Sequence, residues 1–156
     1  MAHDPHVLGP GLAPTPFTAD EIRAGCPAGR TIRLLVEDED DGSAPHVRYN
    51  RFVECDDTGA LVERGADGEP GERGRSTWAG LQAHAAFPIT ATTIEPDTID
   101  IPLGAVECLR YTVTDEDGVT VFWFAPAHPG MPVRYVRFEG DRPVGSTTMI
   151  ESSLPG

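Results

Sequence analysis

The chain has 156 residues and a formal net charge of −13, from 25 acidic and 12 basic residues, and every basic residue is arginine. This length fits one domain, and the 39% hydrophobic fraction is typical of a globular protein rather than a disordered one. A negative field of this size repels nucleic-acid phosphates and anionic lipid surfaces, and no basic patch offsets it. We therefore expect neither nucleic acid nor a membrane as a partner.

The same survey predicts no metal, no cofactor and a cytoplasmic location. The N-terminus lacks the positive and apolar regions of a signal peptide, and no apolar run approaches the ~20 residues of a membrane span. Cys26, Cys55 and Cys108 are widely spaced and odd in number, so we expect free, buried thiols. The histidines are scattered, and the acidic turns lack the ligand spacing of a calcium loop.

In chain order, residues 1–16 are rich in Pro and Gly and are predicted to form a flexible tail. Thr18 as N-cap with Glu21 as its capping-box partner predicts a short helix that ends at Gly25. The next segments alternate in the manner of strands, at 31–37, 46–55 and 59–64. The stretch 64–75 contains no apolar residue larger than alanine and is predicted to be a flexible surface loop.

The segment "STWAGLQAHAAFP", residues 76–88, predicts the main helix of the fold. Ser76 or Thr77 caps it, Trp78, Leu81 and Ala85 form one apolar stripe, and Pro88 ends it. From residue 92 onward the pattern is entirely strand and turn. We therefore expect an α+β domain over 17–152, with a C-terminal tail at 153–156. Its predicted architecture is a curved antiparallel sheet, half-barrel in shape, with the main helix on its concave face and the short N-terminal helix beside it.

The hairpin around "DEDG" fixes which side chains share a face. Pairing Thr114 with Val119 gives two sets, and a two-residue loop gives the same sets, whereas a three-residue bulged loop would exchange one of them. The first set is apolar and is interpreted as core: Leu109, Tyr111, Val113, Phe122 and Phe124. The second set is mixed: Val106, Cys108, Arg110, Thr112, Val121 and Trp123. Arg110 lies opposite Trp123, so the pair forms either a structural cation–π contact or one wall of a ligand groove.

Three segments carry a resemblance to known proteins: "STWAGLQAHAAFP", "IDIPLGAVECLRYTVT" and "TVFWFAPAHPGMPVRYV". In this order they resemble an uncharacterised bacterial family of the actinobacteria, over roughly residues 72–151. The spacing G-x-x-x-C-x-x-Y, followed by W-F and P-G-x-P-V, is also similar to proteins with the half-barrel fold of bacterial lipoprotein carriers. The resemblance implies the half-barrel fold and brings no catalytic residues.

The sequence leaves three functions open. The first is a non-enzymatic domain that binds a small apolar or amphipathic ligand, or a protein partner, between the Trp78 helix and the mixed sheet face. Its candidate ligand-binding residues are Trp78, His84, Cys108, Arg110 and Trp123. The second is an enzyme that uses Cys108 with His84, and the third is a self-associating module whose exposed strands pair edge to edge. The rigid turn 126–132 either connects two strands or presents His128 and Met131 as a recognition tip.

Overall fold

The computed structural model describes residues 4–38 and 44–154 and shows a single open antiparallel sheet with two short helices. The helices are α1 (Ala19–Gly25) and α2 (Trp78–Ala83), and a 3-10 turn covers Ile89–Ala91. The strands are β1 (Thr31–Asp38), β2 (His46–Cys55), β3 (Gly59–Ala66), β4 (Glu72–Thr77), β5 (Thr92–Ile101), β6 (Gly104–Asp115), β7 (Gly118–Phe124), β8 (Arg134–Glu139) and β9 (Arg142–Ser153). Their order in the sheet is β4-β3-β2-β1-β9-β8-β7-β6-β5. The sheet-rich α+β class is therefore as predicted.

The α1 helix begins where the sequence places it. The Thr18 hydroxyl accepts a hydrogen bond from the Glu21 amide at 3.1 Å, and the Glu21 carboxylate accepts one from the Thr18 amide at 3.0 Å. These reciprocal bonds satisfy amide groups that have no partner inside the helix. A capping box of local residues therefore suffices to set this helix start.

The predicted main helix over 76–88 is wrong, because α2 ends at Ala83. Gly80 lowers the helix propensity of the segment. The three residues after Ala83 still make local turn hydrogen bonds, and from Phe87 onward the chain bonds to the N-terminal segment. Ala13 donates to the Phe87 carbonyl at 2.8 Å, and Ile89 donates to the Gly11 carbonyl at 2.9 Å. This pairing draws the chain into an extended path before a third helical turn can form.

The packed domain begins earlier in the N-terminal segment than the sequence indicates. Ala13 and Thr15 are both 2% exposed, and the Tyr111 hydroxyl donates to the Pro14 carbonyl at 2.7 Å. The predicted tail boundary at residue 16 therefore falls inside a buried stretch. A Pro-rich segment still packs when its side chains fill a core and its carbonyls find donors.

The flexible loop predicted over 64–75 is also wrong, because most of it is paired strand. β3 continues to Ala66 and β4 begins at Glu72, with Gly68 at φ 81° in the turn between them. The strand β4 lies at an edge of the sheet, where charged side chains need no burial. Backbone pairing with β3 therefore orders a stretch that has no apolar signal of its own.

The two faces of the sheet differ in what covers them. Both helices lie on the face that carries Phe122 and Phe124, which we call the inner face. Phe17 contacts Phe124 edge to face at 6.2 Å, and Trp78 stacks on Phe52 at 6.4 Å. The opposite face, which we call the outer face, carries Arg110, Trp123 and Cys108 in the predicted register. The hairpin arithmetic is confirmed, since Thr114 pairs with Val119 and Arg110 with Trp123.

Candidate functional site

A cavity of about 550 Å³ opens on the inner face of the sheet, beside α2. Its apolar lining comes from the end of α2, the segment after it, strand β7 and the turn 126–132. These residues are Leu81, Ala85, Phe87, Phe122, Phe124, Met131 and Pro132. A smaller recess of about 50 Å³ shares part of this lining and reaches Ile22, Ile32, Phe52 and Val62 in the core. The cavity therefore has an apolar floor that continues into the core.

Aromatic rings form one continuous wall of the cavity. The Phe122 ring stacks on Phe87 at 5.1 Å and lies 5.8 Å from Tyr135 on the neighbouring strand. Phe122 also stacks on Phe124 at 5.9 Å, and Phe124 meets Tyr111 edge to face at 5.1 Å. Because each ring is held by the next, the wall is formed before any ligand arrives.

The turn 126–132 is fixed by a buried arginine beneath it. Arg30 is 1% exposed, and its guanidinium donates to the carbonyls of Pro129 at 2.5 Å and Gly25 at 3.1 Å. Gly130 has φ 114°, and a Cβ there would come within 2.9 Å of the Cys26 sulfur. A residue with a side chain is therefore excluded at this position, and the turn holds Met131 against the cavity.

The other wall, α2, is anchored at both ends. The Trp78 indole is 4% exposed and donates to the Asp56 carbonyl at 2.8 Å. Gln82 is also buried, and its amide accepts from the Ala19 backbone at 2.9 Å and donates to the Thr15 hydroxyl at 3.0 Å. These bonds join α2 to α1 and to the N-terminal segment. They hold a helix of only six residues that its own propensity would not maintain.

One end of the cavity is polar. Arg48, Asn50 and Arg64 lie there on β2 and β3, with Tyr135 on β8. Asn50 is directly opposite Arg64 in the ladder, and Arg48 lies two residues before Asn50 on the same face. The Arg48 guanidinium donates to the Tyr135 hydroxyl at 3.4 Å. The cavity therefore joins an apolar body to a cationic end.

Of the five candidate residues from the sequence, only His84 lines this cavity, where it is exposed. Trp78 is in the core beneath α2 and supports the wall rather than lining it. Arg110, Trp123 and Cys108 are on the outer face, which α2 does not cover. The predicted groove between the Trp78 helix and the mixed face is therefore not formed.

On the outer face, Arg110 and Trp123 meet through a shared carboxylate. The Arg110 guanidinium bonds to Glu95 and to Asp97, the latter at 3.2 Å, and the Trp123 indole donates to Asp97 at 2.9 Å. The hydrogen bond from Trp123, assisted by the backbone and by Arg110, lowers the pKa of Asp97. The guanidinium thus has two acidic partners, and the group is a closed surface network.

Cys108 and His84 do not form a nucleophile–base pair. Cys108 projects from the outer face, whereas His84 lines the cavity on the inner face. Burial, reinforced by the negative charge of Asp97, raises the pKa of the Cys108 thiol to about 11. A neutral thiol of this kind is a poor nucleophile near pH 7.

The residues of the cavity were missed for two reasons. Arg64 falls in the stretch predicted to be a flexible loop, and Met131 and Pro132 fall in a turn whose role stayed open. A β-bulge between Phe52 and Glu54 also shifts the β2–β3 register by one residue. The pairing of Asn50 with Arg64 depends on that shift. No residue in the sequence predicts a bulge at this position. The one signal in the sequence for these cavity residues is that Arg48 and Arg64 alternate with apolar residues along their strands.

Residues 4–38 and 44–154 provide neither a membrane-spanning helix nor a metal-binding cluster. No helix there has both the length and the apolar character needed to span a membrane. No group of three or more His, Cys, Asp or Glu side chains is placed there to hold a metal ion.

Comparison with known proteins shows a shared fold and no family. No family model matches the sequence, and no curated protein matches it. The structure is similar to MucB, with a TM-score of 0.57 and 7% identity over 86% of this chain and 56% of that chain. It also aligns with a protein from Bacteroides fragilis that is inferred to be exported and has a YmcC-like fold, with a TM-score of 0.46 and 10% identity over 83% of this chain and 97% of the other. The likeness to MucB supports the fold resemblance in the sequence and extends to the fold alone.

Proposed function

We propose that the chain is a non-enzymatic binding protein that holds the apolar part of a small amphipathic ligand in the inner-face cavity. The observation that supports this most directly is the cavity itself, whose volume of about 550 Å³ lies within the ~300–1,000 Å³ of small-molecule sites. Its lining is mainly apolar and aromatic, and both of its arginines lie with Asn50 and Tyr135 at one end, while Ser76 and His84 are its other polar residues. This is the arrangement expected for a ligand with an apolar body and one polar group.

The rigidity of the walls also favours binding. The turn 126–132 is fixed by Arg30, and α2 is fixed by Trp78 and Gln82. A preformed cavity costs little conformational entropy when a ligand enters. Binding of an apolar chain would therefore lose less affinity to the ordering of the protein than it would in a flexible site.

The lining residues do not favour catalysis. Ser76 and His84 both line the cavity, but no hydrogen bond joins them among the described residues. His84 likewise has no carboxylate partner within that part of the chain. The nucleophile, base and orienting group of an acyl-transfer site are therefore not assembled there.

The proposal can be tested with a substitution that fills the cavity and truncates no core side chain. Ala85 lines the cavity near the end of α2, so Ala85→Trp is expected to occupy the space. Ala83 is exposed on the same helix and outside the lining, so Ala83→Trp is the matched control. Binding of the neutral fluorophore N-phenyl-1-naphthylamine, followed by its emission, should weaken at least about tenfold in Ala85→Trp and be unchanged in Ala83→Trp.

Two results would contradict the proposal. One is a wild-type protein that does not bind the fluorophore, and the other is an Ala85→Trp protein that binds it as well as wild type. Native mass spectrometry of protein purified from its own type of host then identifies the cargo by its mass. A bare chain that captures another polypeptide through this face would instead establish the protein-partner function.

A further inference from the structure

We infer that the ligand of the inner-face cavity carries an anionic head group, a carboxylate or phosphate, which Arg48 and Arg64 bind at the polar end. This inference rests on the proposed function, because it specifies the ligand of the same cavity. The observation behind it is that two arginines of a strongly acidic chain have no acidic partner among the described residues, at the place where the cavity changes from apolar to polar.

Most arginines of this chain are paired. Within residues 4–38 and 44–154, seven of the twelve have a carboxylate oxygen within 4 Å. These are Arg33, Arg51, Arg73, Arg75, Arg110, Arg137 and Arg142. With 25 acidic residues available, pairing is the ordinary outcome for an arginine in this protein.

Five arginines have no such partner among the described residues, and they divide by surroundings. Arg30 is buried and its terminal nitrogens bond mainly to carbonyls, although its Nε has no partner among the described residues. Arg134 donates to the Thr148 hydroxyl at 3.3 Å, and Arg23 is exposed on α1. Arg48 and Arg64 are the two that line the cavity. Arg48 is half-buried and has only the neutral Tyr135 hydroxyl as a partner within the described chain.

The acidic residue placed nearest to Arg64 in the sheet does not pair with it. Glu72 is directly opposite Arg64 in the β3–β4 ladder, yet it is exposed and no oxygen of its carboxylate lies within 4 Å of the guanidinium. Glu63, the neighbour of Arg64 along β3, points to the other face, where it bonds to Arg51 and Arg73. Both guanidinium groups therefore remain available to an anion.

A third polar group at the same end lacks a partner. The Asn50 amide oxygen is buried and has no hydrogen-bond partner among the described residues, while its nitrogen makes a long contact of 3.9 Å with the Met131 sulfur. Buried polar atoms are normally satisfied, so this oxygen, beside two arginines that have no carboxylate partner in the same part of the chain, marks a place where a polar ligand group completes the structure. A head group that carries a hydroxyl as well as a negative charge would satisfy all three residues.

The net charge of −13 does not prevent local anion binding. Exposed charges farther than about 10 Å are largely screened at 0.1 M salt, whereas the half-buried Arg48 is screened less. Arg64 is exposed, and it acts on an anion at contact distance. Two guanidinium groups form charge-assisted hydrogen bonds with a carboxylate or phosphate. Each such contact is worth about tenfold in affinity.

The test compares ligands that differ only in the head group. Decanoate, decyl phosphate, decanol and decyltrimethylammonium, each below its critical micelle concentration, compete with N-phenyl-1-naphthylamine for the wild-type protein. The two anionic probes are expected to bind at least about tenfold more tightly than decanol. Decyltrimethylammonium is expected to bind most weakly, and the tighter of the two anions identifies the head group as carboxylate or phosphate.

The variants then locate the head group. Arg48→Gln combined with Arg64→Gln should abolish the anionic preference, so that decanoate and decyl phosphate bind no more tightly than decanol does to the same variant. Arg48→Lys with Arg64→Lys should retain part of the preference, because the charges remain while the forked hydrogen bonds are lost. Arg23→Gln removes the same charge outside the cavity lining and is expected to change nothing. Thermal unfolding of each variant confirms that it is folded.

The outcomes separate the two proposals. If no decyl probe displaces the fluorophore, the proposed function fails and the head-group inference fails with it. If decanol and the anions bind equally, the cavity binds apolar chains but the inference is overturned. A preference for anions that persists in the double glutamine variant would also overturn it, because the head group would then lie elsewhere.

Discussion

Both faces of the β6–β7 hairpin carry aromatic side chains near arginines, and the inner face borders the cavity. On the outer face, Arg110 and Trp123 bond to one carboxylate, Asp97, and Arg110 also pairs with Glu95. On the inner face, Phe122 joins an aromatic wall beside a cavity, and the arginines at the edge of that cavity have no acidic partner in the part of the chain that the structure describes. An aromatic residue beside an arginine is therefore a weak sign of a binding site. A stronger sign is an arginine beside a cavity that has no carboxylate partner within the protein.

Trp78→Ala is expected to give the largest loss of stability. The indole is buried and stacks on Phe52, so truncation should lower the free energy of unfolding by about 3–5 kcal/mol in urea titrations. Trp123→Ala, on the half-buried outer face, should cost less than half as much. Equal losses would show that the outer face is as much a core as the inner one.

Phe122→Ala is expected to come second, and to affect binding as well as stability. Its ring is half-buried, so the loss should be about 2 kcal/mol, below the usual range for a fully buried phenylalanine. Removing it also breaks the aromatic wall, so N-phenyl-1-naphthylamine should bind more weakly. Val121→Ala changes the adjacent residue on the outer face and should leave fluorophore binding unaltered; weakening in both variants would contradict the division between the faces.

The register of this hairpin was predictable, whereas that of the β2–β3 hairpin was not. A short turn between Asp115 and Gly118 transmits its pairing directly to Arg110 and Trp123. In the β2–β3 hairpin, continued regular pairing from Cys55 with Ala60 would place Asn50 opposite Gly65, but the bulge places it opposite Arg64. One inserted residue thus decides which side chains face the cavity.

The limits on the helix prediction have a different origin. The capping box of α1 is a local device and is readable from Thr18 and Glu21. The end of α2 depends on hydrogen bonds from Ala13 and Ile89, to which a distant N-terminal segment contributes. Local sequence patterns therefore predicted the start of α1 and the turn between β6 and β7. Long-range pairing determined the length of α2 and the walls of the cavity.

The burial of Cys108 on the outer face should make the free energy of unfolding fall at alkaline pH. Its pKa is raised from 9.0 to about 11, so the unfolded chain loses the thiol proton first as the pH rises. The stabilisation is complete below pH 9 and is lost as the pH rises through about 11. Tyr111, whose pKa burial raises to about 12, adds a second loss at higher pH.

Urea titrations between pH 8 and 11 check this prediction. In Cys108→Ala the decline of the unfolding free energy between pH 9 and 11 should be shallower than in wild type. The comparison is of slopes rather than absolute stabilities, because the alanine also leaves a small void. Identical slopes would mean that the thiol ionises as readily in the folded chain as in the unfolded one.

Arg110→Gln should have the smallest effect, although this residue headed the candidates from the sequence. Its partners Glu95 and Asp97 are at the surface, and exposed ion pairs contribute about 0–1 kcal/mol. Urea titration should therefore detect a change within that range, and fluorophore binding should be unchanged, since Arg110 does not line the cavity. The same substitution at Arg48 costs no ion pair, because the structure shows no carboxylate partner for it among the described residues, yet it should weaken binding of the anionic probes. A chain in which Arg110→Gln, and not Arg48→Gln, impaired binding would move the site to the outer face and reverse the assignment made from charge pairing.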